Sequence, residues 1–123
     1  METERSPLIS VVVPLYKEAG NLRPFLSNVT SELAKTGYPY ELIVIDDGSP
    51  DETWQIISEQ AQADRHLRGF RLSRNFGKEL ALCAGLERAQ GDAVIVMDGD
   101  GQHPPALFSE MVRLWQTTGA DIV

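Results

Sequence analysis

Residues 8–15 read Leu-Ile-Ser-Val-Val-Val-Pro-Leu, apolar at nearly every position instead of at every second one. A strand with one wet face alternates; a strand covered on both faces does not. This run therefore asks for a sheet buried on both sides. Residues 41–46 (Glu-Leu-Ile-Val-Ile-Asp) and 93–98 (Ala-Val-Ile-Val-Met-Asp) repeat the demand, and 67–73 reads as a shorter, more polar strand suited to an edge. Helix-length segments separate them at 21–35, 51–63 and 77–89. Another helix is expected over 104–117, opened by Pro104-Pro105, and a fifth strand starts at 119–123. Strict alternation of strand and helix implies an α/β fold, a mostly parallel Rossmann-like sheet with helices on both faces and right-handed crossovers.

Local signals fix the details. Leu22, Phe25, Leu26, Val29 and Leu33 fall on one helical stripe, which Gly37 ends and Tyr38-Pro39 turns away. Asp51 is placed to cap the second helix, whose stripe is Trp54, Ile57 and Ala61. Pro14 belongs at the end of its strand, where the hydrogen-bond ladder stops. Cys83, among Leu80, Leu82 and Leu86, is expected to be buried.

The chain has 123 residues, enough for one domain with a real core, and a net charge of −7. That balance leaves no basic stripe for nucleic acid. A polyanion remains a possible ligand where a metal supplies positive charge locally. One cysteine allows no internal disulfide and fits a reducing, cytoplasmic compartment. Residues 1–7 are polar and charged, unlike a signal peptide, and no apolar run approaches the roughly 20 residues of a membrane span.

Sheets of this kind bind ligands beyond the carboxyl ends of their strands. Three polar clusters follow strand ends here: Pro14-Leu15-Tyr16-Lys17-Glu18, Asp46-Asp47-Gly48-Ser49 and Asp98-Gly99-Asp100. Alternation points residues 98 and 100 to the same side, where two carboxylates can share a hard divalent cation that completes its shell with phosphate oxygens. The segment Arg74-Asn75-Phe76-Gly77-Lys78 adds a basic pair at the start of the third helix; Arg74 or Lys78 is placed to meet a phosphate there.

Together, Val13-Pro14-Leu15-Tyr16-Lys17-Glu18, Val44-Ile45-Asp46-Asp47-Gly48-Ser49-Pro50-Asp51 and Met97-Asp98-Gly99-Asp100-Gly101-Gln102-His103-Pro104-Pro105 closely resemble family 2 glycosyltransferases. The polyprenyl-phosphate sugar transferases are the most similar subgroup. The resemblance covers nearly the whole chain and implies a GT-A nucleotide-diphosphosugar fold, of which residues 1–123 are the N-terminal, nucleotide-sugar-binding part, truncated at the C-terminus. It implies that Pro14, Tyr16 and Glu18 line a nucleoside pocket, that Asp47 and the Ile45 backbone contact base or ribose, and that Asp46 orients its loop through backbone amides. Lys78 joins them as a donor contact. It implies further that Asp98, Asp100 and Gln102 hold Mg²⁺ or Mn²⁺ at the diphosphate, with Asp100 catalytic; His103, a nitrogen donor, suits that cation less well.

The implied reaction is an inverting transfer of a hexose from a UDP- or GDP-sugar to a polyprenyl phosphate such as an undecaprenyl or dolichyl carrier, at the cytoplasmic face of the membrane. A non-catalytic nucleotide-sugar-binding or assembly module of the same fold is the alternative, and self-association as a homo-oligomer is left open. Two positions depart from the pattern: Gly101 stands where relatives carry a larger apolar residue, and Ala106 where they carry an acid. A nicotinamide-dependent dehydrogenase would need a Gly-x-Gly-x-x-Gly turn after the first strand, and none is present. A receiver domain would carry its acids after the first and third strands, which fits 98–100 badly.

Overall fold

The computed structural model describes residues 8–97. They form β1 (Ile9–Leu15), α1 (Ala19–Lys35), β2 (Tyr40–Asp46), α2 (Thr53–Ala63), β3 (Leu67–Arg71), α3 (Lys78–Arg88) and β4 (Ala93–Val96). The expected helix over 104–117, the strand from 119 and the 98–102 cluster lie outside the described residues.

Among the described residues all strand pairs are parallel, in the order β3-β2-β1-β4, and β3 is at an edge of that sheet, as its polar sequence demands. Every residue of β1 is buried, as its unbroken apolar run requires. The pleat deals the side chains to two cores. Val11, Val13, Leu15, Leu42 and Val44 pack with Leu22, Leu26, Val29 and Leu33 of α1 and Ile56 and Ile57 of α2. Val12, Ile43 and Ile45 pack with Ala81 of α3 on the other face. Two successive crossovers in one direction put α1 and α2 on one face; the reversal from β3 back past β1 to β4 puts α3 on the other.

Three expectations shift. Helix α1 begins at Ala19, two residues earlier than its apolar stripe suggests. Helix α2 begins at Thr53, with Glu52 in the N-cap position, although the Asp51 carboxylate still accepts the Thr53 amide at 3.1 Å. Pro14 lies within the β1–β2 ladder, opposite Ile45. Leu15 carbonyl accepts from Asp47 toward β2, whereas Val12 carbonyl accepts from Met97 toward β4. Pro14 alternates with Val12, so its missing N–H falls on the β4 side, past the last described rung. The central strand thus tolerates it.

Cys83 is the plain correction: it is exposed, with Leu80 and Leu86 also on the outer surface. Helix α3 presents its small residues Ala81 and Gly85 to the sheet. A Cβ at Gly85 would run into Val12 Cγ1, so the helix can lie this close only with glycine there. In a segment apolar nearly all round, periodicity did not choose between the large face and the small one.

Candidate functional site

The carboxyl ends of β1 and β2, the loop after β3 and the end of β4 meet at one rim. Met97 amide donates to Val12 carbonyl at 3.1 Å, so the described chain stops at this rim, one residue before Asp98.

The segment after β2 fastens its neighbours. Ser49 Oγ accepts the Lys17 amide at 2.9 Å, and Thr53 Oγ1 accepts the Glu18 amide at 3.1 Å while donating to Asp51 Oδ1 at 2.6 Å. These bonds hold the turn after β1, where Lys17 takes φ 58°, a left-handed conformation costly for a residue with a Cβ. Such strain persists only where surroundings over-determine it. The turn leaves Tyr16 39% exposed, with Lys17 Nζ 5.3 Å from its ring centre, and puts Glu18 half-buried at the head of α1.

Strand alternation sends the adjacent acids to opposite faces. Asp46, fully buried on the α2 side, accepts the Ser49 amide through Oδ1 at 3.1 Å. This matches its expected role of orienting the loop. Its Oδ2 has no hydrogen-bond donor among the described residues; Arg71 Nε stands 3.6 Å away. The Arg71 guanidinium lies over the Trp54 ring and, with Asp51, Gln55 and Ser58, lines a cavity of about 370 Å³ on that flank.

Asp47 turns to the α3 side and is 3% exposed. Its Oδ1 accepts Phe76 amide at 2.8 Å, and its Oδ2 accepts Gly77 amide and Asn75 Nδ2, both at 3.0 Å. Asn75 Nδ2 also reaches the Asp47 carbonyl at 3.2 Å. Gly48, at φ 70°, lies against this loop so closely that a Cβ would meet the Arg74 backbone. The Arg74 guanidinium is stacked 4.8 Å from the Phe76 ring, and Lys78 opens α3.

Of the expected donor contacts, Tyr16, Glu18, Asp47 and Lys78 come together at this rim. Pro14 and Ile45 are buried just beneath it, Ile45 with its side chain in the core beside α3, so only its backbone faces the ladder. Asp98, Asp100 and Gln102 lie outside the described residues, and among those described no cluster of three His, Cys, Asp or Glu residues forms a metal site. Ser49, Thr53 and Asn75 were not singled out by sequence. Their signal was present: a serine and a threonine near turn aspartates, and an asparagine two residues before a glycine, are residues that bond local backbone. The Asp51 carboxyl lies beside Thr53 at the same rim. Burial pushes its carboxyl up, but hydrogen bonds from Thr53 and from the Ala19 amide outweigh this and hold it below the ordinary value.

The profile of Glycosyl transferase family 2 matches residues 10–123. The chain belongs to that family. It is 43% identical over 115 residues to an uncharacterized glycosyltransferase, sll0501, of Synechocystis, covering 94% of this chain and 36% of that protein. It is 41% identical over 117 residues to an undecaprenyl-phosphate 4-deoxy-4-formamido-L-arabinose transferase of Aeromonas hydrophila, with coverages of 94% and 36%. The chain thus spans about a third of the length of these curated relatives.

Among solved structures, the Pyrobaculum calidifontis mannosyltransferase PcManGT in complex with GDP-Man and Mn²⁺ superposes with a TM-score of 0.74 at 28% identity, over 92% of this chain and 33% of that one. Staphylococcus aureus TarS 1-349 in complex with UDP-GlcNAc gives 0.65 at 26%, over 92% and 32%. The parallel sheet is therefore the GT-A arrangement that the resemblance implied. Among the described residues, no helix is long and apolar enough to cross a membrane.

Proposed function

We propose that this family 2 chain binds the nucleotide-diphosphate sugar of a metal-dependent, inverting glycosyltransferase that passes a hexose to a polyprenyl phosphate. The observation that carries the reading is the convergence of 16–18, 47–49, 74–78 and the end of β4 on one rim. Tyr16 offers the nucleoside an aromatic face and Glu18 an acceptor for its N–H or hydroxyl donors. Lys78 and Arg74 stand at the start of α3, where helix amides already favour an anion. Pro14, Ile45 and Asp47 form the floor beneath.

Asp98, Asp100 and Gln102 follow directly from the described end of β4 and offer only oxygen donors, the set that suits Mg²⁺ or Mn²⁺. These three would hold the cation, with Asp100 the catalytic side chain, and the cation when bound supplies a Lewis acid for charge on the departing diphosphate. An acceptor phosphate oxygen attacks the anomeric carbon, and the bond to the nucleoside diphosphate breaks with its electron pair on that leaving group. The acceptor is already an anion at neutral pH, so little general-base assistance is needed. The names of the undecaprenyl-phosphate transferases among the relatives support a lipid-phosphate acceptor. An enzyme with such an acceptor works at the membrane face.

Calorimetric titration of UDP- and GDP-sugars with Mn²⁺ tests the reading. Saturable, Mn²⁺-dependent binding of one donor is expected, and Asp100→Ala is expected to abolish it with the fold intact. Unchanged affinity in that variant would overturn the metal assignment; no binding of either donor would overturn the donor site.

A further inference from the structure

We infer that Ser49 and Thr53 are positioning residues: their hydroxyls, with the Asp51 carboxylate, clamp the turn 17–19 that presents Tyr16 and Glu18 to the donor. The proposal rests on the donor-binding reading and gives neither hydroxyl a contact with the donor.

Three consecutive amides carry it. Lys17 N donates to Ser49 Oγ at 2.9 Å, Glu18 N to Thr53 Oγ1 at 3.1 Å, and Ala19 N to the Asp51 carboxylate. A left-handed residue beside a right-handed one turns successive amides to one side. Lys17, at φ 58°, and Glu18, at φ −111° and ψ 21°, form that pair. All three acceptors belong to residues 49–53, so one short segment holds the whole turn.

The acceptors are themselves fixed. Both hydroxyls are buried, Ser49 at 1% exposure and Thr53 at 0%. Thr53 gives its own hydrogen to Asp51 Oδ1 at 2.6 Å, which leaves its oxygen as the acceptor for Glu18. Asp51 Oδ1 also accepts the Thr53 amide at 3.1 Å, tying the clamp to the start of α2.

The effect reaches the rim through the backbone. Lys17 carries a Cβ, and without the three bonds its φ is free to return to negative values. Tyr16 on one side of it and Glu18 on the other then lose their fixed directions. A turn that must be re-formed when the donor binds draws its ordering cost from the affinity.

Hydroxyls with a merely structural role would cost stability alone, and Ser10 supplies the comparison. Its hydroxyl is equally buried and makes two bonds at the opposite end of the sheet, donating to Glu41 Oε2 and accepting the Gly91 amide. In the full-length protein, Thr53→Val, Thr53→Ser, Ser49→Ala and Ser10→Ala are compared by calorimetric binding of UDP- and GDP-sugars with Mn²⁺. Thermal melting and amide hydrogen exchange over residues 16–20 are measured beside it.

Thr53→Val is expected to weaken donor binding roughly ten-fold and Ser49→Ala about three-fold, with Thr53→Ser near the wild type. Ser10→Ala is expected to melt earlier and to bind the donor as the wild type does. Exchange over 16–20 is expected to be slow in the wild type and fast in Thr53→Val, with β1 unchanged. In a Lys17→Gly background, where a left-handed φ costs little, the Thr53→Val loss is expected to shrink to about two-fold.

An affinity in Thr53→Val no lower than in Ser10→Ala, no rescue by Thr53→Ser, or an equal loss in both backgrounds would each overturn the clamp. Should Thr53→Val fail to fold, Ser49→Ala carries the same comparison. A wild-type protein that binds neither donor defeats the donor-site reading instead, and exchange over 16–20 then decides whether the clamp exists.

Discussion

Strand β2 begins beside one buried carboxylate, Glu41, and ends on another, Asp46, and their surroundings differ in kind. Glu41, 7% exposed, accepts Ser10 Oγ at 2.6 Å and the Gln90 amide at 2.7 Å on Oε2, and Arg68 Nη1 at 2.9 Å on Oε1. Ser10 in turn accepts the Gly91 amide at 2.8 Å. This amino-end network closes the α3–β4 turn onto the sheet with its acceptors in use. Asp46 has one oxygen bonded and the other facing a half-exposed arginine across 3.6 Å, next to a strained Lys17 and an exposed Tyr16. Among the described residues, the amino end of the sheet thus holds the fully bonded acid and the carboxyl end the less satisfied one, beside a strained backbone.

The largest way to break this contrast is Glu41→Ala. It leaves Ser10, the Gln90 amide and Arg68 without their shared acceptor, and urea denaturation should show a loss of about 3 kcal/mol. Donor affinity of the folded fraction should stay at the wild-type value; a matching loss of affinity would mean the two rims are coupled.

Acid should act through the same group. Burial pushes the Glu41 carboxyl up, but the hydrogen bonds from Ser10, Gln90 and Arg68, with the Arg68 charge, outweigh it and leave it below its ordinary 4.5. A depressed carboxyl stabilises fully above the unfolded value and loses that contribution as pH falls through the folded one. The urea midpoint should therefore drop as pH falls from about 5 toward about 3, and Glu41→Gln should flatten that drop.

At the carboxyl end the expected effects are smaller, and one is opposite in sign. Lys17→Gly relieves the left-handed strain and should raise stability by up to about 1 kcal/mol, while loosening the turn that presents Tyr16 and so weakening donor binding. Asp46→Asn keeps an oxygen for the Ser49 amide and exchanges only the one that faces Arg71. A change below about 1 kcal/mol is expected by denaturation, since the Arg71 partner is half-exposed and screened. A loss as large as that of Glu41→Ala would erase the distinction between the rims.

Much of this was legible in the chain. The unbroken apolar runs gave a doubly covered parallel sheet, and the stripe from Leu22 to Leu33 gave α1 and its buried face. The position of polar clusters after strand ends gave the rim, and the linked motifs gave the family. Cys83 misled because α3 is apolar on both faces, and only its distance from the sheet told that Ala81 and Gly85 face inward. Asp47 was legible as a site residue but not as a loop anchor, because its partners are 28 to 30 positions away.

Composition and periodicity thus determined by themselves which elements form over residues 8–97, that β3 is the edge of the described sheet and at which end the polar clusters gather, since those follow from burial and chain direction. Only the tertiary structure decided which acid finds its partners among the described residues, and which loop holds which. Hydrogen-bond partners are set by how segments distant in sequence come to lie within 3 Å of each other, and no local pattern encodes that approach.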